Sequence, residues 1–170
     1  MTNPTRWNAL CQALEAEVAR LDALREHAAT GADVILKMDV PGLERWTAEQ
    51  QVMLGELARL ADARTEATRA CLGAKLPPAR SGLAERVTFL TLLRLAPQRI
   101  ADRLRGLRDS IRGLKDELTL VTSRNEVLLR QVLAFTDELG RSLVAGEPTG
   151  YDAAGRMAAE GGTPLLELSL

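Results

Sequence analysis

Aromatic residues are scarce in this sequence, which has two Trp, two Phe and one Tyr among 170 residues. A hydrophobic core therefore has to be built mainly from Leu, Ala, Val and Ile. The most frequent residues are Leu, Ala, Arg and Glu, a composition typical of long helices. The composition argues against a β-sandwich, a β-barrel and a disulfide-stabilised scaffold.

Cysteine and histidine are nearly absent. Cys11 and Cys71 belong to no CxxC pair, and His27 is the one histidine, so a zinc site of the usual spacing cannot be completed. Two unpaired thiols favour a reducing compartment. We predict no metal and no cofactor. We also interpret both cysteines as small hydrophobic side chains and His27 as a solvated residue late in the first helix.

Long apolar runs and an excess of one charge are also missing. The formal net charge is -1 and the pI is near 5.9, which gives no general sign of binding to nucleic acid or an anionic membrane. The longest mostly apolar run, Phe89 to Ala96, is far shorter than the roughly 20 residues of a spanning helix. No apolar signal region follows Met1. We predict a cytoplasmic protein without membrane insertion.

Two helices are predicted before residue 73. Apolar residues recur every seven positions from Trp7 to Ile35, which predicts a helix over about 7–38. Asp39-Val-Pro-Gly42 interrupts this pattern. A second apolar stripe predicts a helix over about 41–72, and the Gly/Pro-rich stretch 73–82 ends it. A short helix over about 83–95 follows, since its strand-like residues have no second strand to pair with.

A third long helix, over about 97–143, carries a coiled-coil seam. Ten of its twelve a and d positions are apolar at strict 3-4 spacing. The a positions are Leu104, Ile111, Leu118, Asn125, Val132 and Leu139, and the d positions are Leu107, Leu114, Val121, Leu128, Phe135 and Ser142. From Leu118 onward the apolar face broadens into other heptad columns, at Leu120, Val127, Leu129, Leu133 and Ala134.

The fold predicted from these segments is all-α. It is an antiparallel long-helix bundle, or coiled-coil hairpin, of three helices with a flexible C-terminal tail. The helical bundle is expected over residues 1–144 and the tail over residues 145–170, where Gly and Pro are frequent. The tail nevertheless contains Tyr151 and an apolar segment, Leu165–Leu170, which favours docking to another surface.

Two features of the third helix leave alternatives open. Asn125, a polar residue in an apolar column, either fixes the helix register or binds a partner through its amide. The broadened apolar face either packs within the bundle, accepts a partner's amphipathic helix, or mediates self-association.

The start of the third helix is basic, with seven positive and two negative residues between Arg94 and Lys115. A solvated helix face with some ion pairs is one interpretation, and an acidic protein partner or RNA are the others. No catalytic residue is predicted, since there is no phosphate-binding loop and no base with a partner. We therefore predict that the protein is not an enzyme.

Several short motifs, in this order, resemble FlgN-type flagellar export chaperones. Helix two begins with Asp39-x-x-Gly-Leu-Glu-Arg45 and continues with Gln50-Gln-x-x-Leu54, and helix three contains Leu104-Arg-Gly-Leu107 and Ser123-Arg-Asn-Glu-Val-Leu-Leu129. The tail contains Gly150-Tyr-Asp-Ala-Ala-Gly155. Thr122 stands where that family often has a further Asn, and Leu165–Leu170 has no counterpart.

The resemblance implies a cytosolic type III export chaperone. Such chaperones bind the C-terminal amphipathic helices of the hook-associated (hook–filament junction) proteins, prevent premature assembly and deliver these clients to the flagellar export gate and ATPase components. The implied client-binding residues are Asn125, Leu128, Leu129, Val132, Phe135 and Leu139. The implied residue for docking at the export gate is Tyr151. The alternative is a structural coiled-coil protein that self-associates and has no client.

Overall fold

The computed structural model describes residues 4–73 and 82–144, which form four helices. These are α1 (Pro4–Leu36), α2 (Val40–Leu72), α3 (Gly82–Leu95) and α4 (Gln98–Val144). No strand occurs within the two described ranges, which confirms the all-helical prediction. In the same ranges no helix is long and apolar enough to cross a membrane. The predicted tail, with Tyr151 and Leu165–Leu170, lies outside the described residues.

Proline and two unusual backbone positions determine where α1 ends and α2 begins. Met38 lies in the left-handed region with φ 51°, which breaks the helical path after Leu36. Asp39 has extended backbone and precedes α2, and Pro41 lies in the first turn, where a missing N–H costs nothing. A Cβ added at Gly42 would collide with the exposed Asp39 carboxylate, which would have to turn away.

The polar contacts between α1 and α2 show that the two helices run in opposite directions. Partner numbers on α2 fall as residue numbers on α1 rise. The pairs are Arg6 with the Ala70 carbonyl (3.2 Å), Glu17 with Arg64 (3.4 Å), Arg20 with Glu56, and His27 with the Trp46 carbonyl (3.0 Å). The two helices thus form a hairpin closed by the short connection at Met38.

Helix α4 runs in the same direction as α1 up to residue 125. Here the partner numbers rise together. The pairs are Glu15 with Arg103 (2.9 Å), Arg25 with Glu117 (3.6 Å), and the Ala28 carbonyl with Asn125 (2.7 Å). Helix α1 therefore contacts α2 and this part of α4.

The core lies mainly along α1. The every-seventh-residue stripe of α1 is buried throughout, from Trp7 to Ile35, as its spacing predicts. The buried cluster consists of Trp7, Leu10, Cys11, Leu14, Leu21, Leu72, Leu92, Leu104 and Ile111. Full burial of one Leu or Ile side chain contributes about 1.5–3 kcal/mol, so these contacts between helices dominate the stability.

The contacts divide the chain into two units, Met1–Leu128 and Leu129–Leu170. The first unit contains α1, α2, α3 and α4 up to Leu128. The described part of the second unit is the remainder of α4, from Leu129 to Val144.

Candidate binding surface on helix α4

The α4 seam is buried in the first unit. Leu104 and Ile111 are fully or almost fully buried, and so is Asn125. The seam residues between and after them are half-buried, namely Leu107, Leu114, Leu118, Val121 and Leu128. In this part of the helix, the heptad pattern corresponds to core packing.

The same pattern is exposed to solvent in the second unit. Leu129 and Val132 are half-buried, and every side chain from Leu133 to Leu143 is exposed. The exposed fractions of the four large apolar side chains are 56% for Leu133, 58% for Phe135, 48% for Leu139 and 74% for Leu143. Exposed apolar side chains that follow one another along a helix are typical of interaction sites.

These apolar residues share one face of the helix. At 3.6 residues per turn, the apolar residues Leu129, Val132, Leu133, Phe135, Leu139 and Leu143 fall within one half of the circumference. We call these six residues the α4 apolar face. The charged residues of the segment, Arg130, Asp137, Glu138 and Arg141, all fall in the other half. The face is therefore uncharged over about half the helix, which suits the packing of another amphipathic helix.

The six residues implied for client binding are placed differently. Phe135 and Leu139 are exposed, and Leu128, Leu129 and Val132 are half-buried. Asn125 is buried, and its Nδ2 donates a hydrogen bond to the Ala28 carbonyl at 2.7 Å. Accessibility for a partner is thus greatest at Phe135 and Leu139.

The geometry of Asn125 supports the first of its two interpretations, a role in register. Its amide reaches α1 between Ala28 and Gly31, and a Cβ added at Gly31 would lie 2.6 Å from Nδ2. A side chain larger than hydrogen at Gly31 would therefore displace the amide. The amide holds one residue of α4 against one turn of α1.

His27 is not the solvated residue that the sequence suggested, and that interpretation is wrong. Its side chain is 11% exposed and is stacked on the Trp46 ring at 5.5 Å between ring centres. Its Nε2 donates to the Trp46 carbonyl at 3.0 Å, and the indole N–H of Trp46 donates to the His27 carbonyl at 3.1 Å. This reciprocal pair joins the two arms of the hairpin near the connection.

A buried charge was also missed. Glu17 lies on the inner side of α1 and faces Arg64 of α2 at 3.4 Å, while Arg20 pairs with Glu56 one turn further along. The spacing does carry a signal for it, because Glu17 lies seven residues after Leu10 and seven before Leu24, within the buried stripe of α1. The buried Glu17 Oε2 makes no hydrogen bond, so the ion pair with Arg64 offsets only part of the desolvation of the carboxylate.

The two cysteines behave as small hydrophobic residues, as predicted. Cys11 belongs to the buried cluster and Cys71 packs against it, with its Sγ 3.4 Å from the Arg6 carbonyl. Burial is the main cause that raises the pKa of both thiols above the ordinary value. Within the described ranges no group of three or more His, Cys, Asp or Glu side chains could hold a metal ion.

The basic start of α4 makes local contacts. Arg103 pairs with Glu15, Arg105 pairs with Asp102 at 2.6 Å, and the Arg108 guanidinium lies 4.6 Å above the Phe89 ring. The hydrogen bond to Glu15 raises the pKa of Arg103 above its ordinary value. These contacts favour a solvated face with ion pairs over an RNA-binding surface.

Comparison with known proteins gives a match at the level of the family. No curated protein and no solved structure matches the chain. The sequence model of the family described as FlgN protein matches residues 1–159, nearly the whole chain. The chain therefore belongs to the FlgN family of flagellar export chaperones.

Proposed function

We propose that the protein binds the C-terminal amphipathic helices of hook–filament junction proteins in the cytoplasm, prevents their premature assembly and delivers them to the flagellar export apparatus. The observation that carries the proposal is the α4 apolar face, which exposes Phe135 and Leu139 on a member of a chaperone family. A binding role of this kind needs no catalytic group and no cofactor.

The partner's chemistry follows from the α4 apolar face. From Leu129 to Leu143 the face extends about 21 Å, or four helical turns. An amphipathic helix of similar length would bury Phe135 and Leu139 in a helix-in-groove arrangement. Leu128, Leu129 and Val132 would contribute the half-buried margin of the site, and Asn125 would position α4 against α1.

We further propose that α1, α2 and α4 form an antiparallel three-helix bundle, which the directions of their contacts support.

Substitutions at Phe135 and Leu139 test the proposed site most directly. Both side chains are exposed, so their replacement should affect binding and leave folding unchanged. The double variant Phe135→Asp/Leu139→Asp should lose binding of the junction-protein C-terminal segment in calorimetry and keep its thermal midpoint. A matched control is Val52→Asp/Leu54→Asp, since both α2 side chains are at least half exposed. The control should bind normally. Binding by the Phe135/Leu139 variant at full affinity would overturn the proposed site.

A further experiment tests whether the half-buried Leu128 and Leu129 contact the client or belong to the core. Replacement of both by Asp should abolish client binding with helicity largely kept, as judged by circular dichroism. Loss of the fold would assign the pair to the core. The exposed-pair variant above would then remain the test of binding.

For Tyr151 we propose the docking role that the family motif implies. Tyr151→Ala should leave the affinity for the client segment unchanged and reduce export of junction proteins from cells. Normal export by this variant would refute the docking role.

The exposed face also fits a structural protein that self-associates. Light scattering on a sizing column, with and without the client segment, separates the two functions. A monomer that becomes a 1:1 complex supports the chaperone. A stable dimer that ignores the client segment supports the structural protein.

A further inference from the structure

The chain carries a second apolar segment that the proposed function does not use. Residues Leu165–Leu170 read Leu-Leu-Glu-Leu-Ser-Leu, with four leucines and one charge. Leaving four leucines in water forgoes the gain from burying their side chains, so the segment favours contact with another apolar surface. The α4 apolar face is such a surface, with Leu133, Phe135, Leu139 and Leu143 exposed.

The segment is tethered within reach of that face. Residues 145–164 join it to α4, and Gly or Pro occupies positions 146, 148, 150, 155, 161, 162 and 164. A chain of 20 residues can span at most about 66 Å when extended. The α4 apolar face extends about 21 Å back from Leu143 to Leu129. Every part of the face is therefore accessible to the segment.

We propose that Leu165–Leu170 docks on the α4 apolar face of its own chain and is displaced when a client helix binds. The face has no charged residue to pair with Glu167, so the leucine side chains alone would drive the docking. Six residues cover less of the face than a helix of four turns, so the client has the larger apolar area to bury. The displacement step rests on the proposed function, and the docking step does not.

A second copy of the protein is the competing occupant. It would bring the same uncharged face and could pair with it along the helix. A tethered segment, however, is present at an effective concentration of about millimolar, well above the concentrations at which separate copies meet in a dilute sample. Tethering therefore favours the segment of the same chain.

Hydrogen exchange of the free full-length protein tests the docking step. The amides of residues 133–143 lie in a helix end with exposed side chains, so their opening free energy is small and responds to docking. Replacement of the four leucines by Ser should speed the exchange of the amides of residues 133–143 about fivefold or more. The control Met157→Ser alters an apolar residue between α4 and the segment and should leave the exchange unchanged.

Three results would overturn the docking. One is equal exchange of residues 133–143 in the full-length protein and the leucine variant. Another is equally faster exchange in the Met157→Ser control. The third is protection that grows when the protein is concentrated tenfold, which would assign the face to a second copy.

Client affinity then separates this inference from the proposed function. The leucine variant should bind the junction-protein C-terminal segment several-fold more tightly, since no tethered competitor has to leave. Faster exchange in the variant, with no client binding by either protein, would refute the proposed function and leave the docking standing. Client binding, together with unchanged exchange in the variant, would refute the docking and leave the proposed function standing.

Discussion

The side-chain amide of Asn125 donates a hydrogen bond to the backbone carbonyl of Ala28 at 2.7 Å, and so links α4 to α1 across 97 residues of sequence. The same amide lies close to the backbone of Gly31. A buried polar group held in this way contributes more to defining one helix alignment than to the total free energy of unfolding.

Replacement of Asn125 should nevertheless destabilise the protein, because a hydrogen bond is lost at a buried site. Asn125→Ala removes the hydrogen bond and leaves a space, at a cost of about 1–3 kcal/mol in the free energy of unfolding. Asn125→Asp should cost more at neutral pH, because a buried carboxylate would face the Ala28 carbonyl. Urea unfolding measures both, with the exposed Ser123→Ala on the same helix as the control.

The pH dependence of the Asn125→Asp variant gives a second check. Burial raises the pKa of the introduced carboxyl above its unfolded value, so the variant is most stable below the unfolded pKa. The stability is lost as pH rises through the folded pKa. Acidification from pH 7 to about 4 should therefore recover part of the loss relative to wild type. A constant difference between the two proteins over this range would show that the carboxyl remains solvated.

Gly31 and Gly113 should respond in opposite directions to replacement by Ala. At Gly31 a Cβ would lie 2.6 Å from both Asn125 Nδ2 and Trp46 Cζ2, so both side chains have to move. Gly31→Ala should cost about 1–3 kcal/mol in the free energy of unfolding. At Gly113 no atom lies within 4 Å of the added Cβ, and Gly113→Ala should stabilise the helix by about 0.5–1 kcal/mol. If Gly31→Ala raised the urea midpoint as well, α1 and α4 would not approach as closely as the contacts indicate.

The sequence predicts which side chains share a helix face, because burial of a helix requires apolar residues at helical spacing. The α1 stripe from Trp7 to Ile35 is buried as its pattern predicts. Helix α4 shows the limit of this reasoning. Leu104 and Leu139 occupy the same heptad column, yet one is fully buried and the other is exposed. The sequence pattern predicts which residues share a helix face. Whether another helix covers that face depends on the tertiary structure.

Pairings between distant residues could not be predicted from spacing. The resemblance placed Asn125 among the client-binding residues, and no pattern names Ala28 as the acceptor of its hydrogen bond. His27 looked solvated because a lone histidine has no sequence signal for its partner, and Trp46 stacks on it from another helix. The pairing of Glu17 with Arg64 could not be predicted either, because Arg64 lies on the other arm of the hairpin.

The buried thiols predict a loss of stability in alkali. Burial raises the pKa of Cys11 and Cys71, so thiols of the unfolded chain ionise first as pH rises above about 8.5. The unfolded state then binds fewer protons than the folded state, and the free energy of unfolding falls with pH. Cys11→Ala/Cys71→Ala should flatten this fall between about pH 8.5 and 10. The measured quantity is the slope of stability against pH, since the level also reflects the space left at Cys11.

An uncharged α4 apolar face predicts that client binding depends little on salt. Apolar contacts are not screened, so raising sodium chloride from about 50 to 500 mM should change the affinity for the client segment less than about threefold. The heat capacity change on binding should be negative, because apolar surface leaves water. Arg130 and Arg141 lie on the opposite half of α4, so Arg141→Gln should bind with unchanged affinity.

An affinity that fell steeply with salt would instead indicate an acidic partner held by the arginines between Arg94 and Lys115. In that case Arg112→Gln should weaken binding and Phe135→Asp/Leu139→Asp should not.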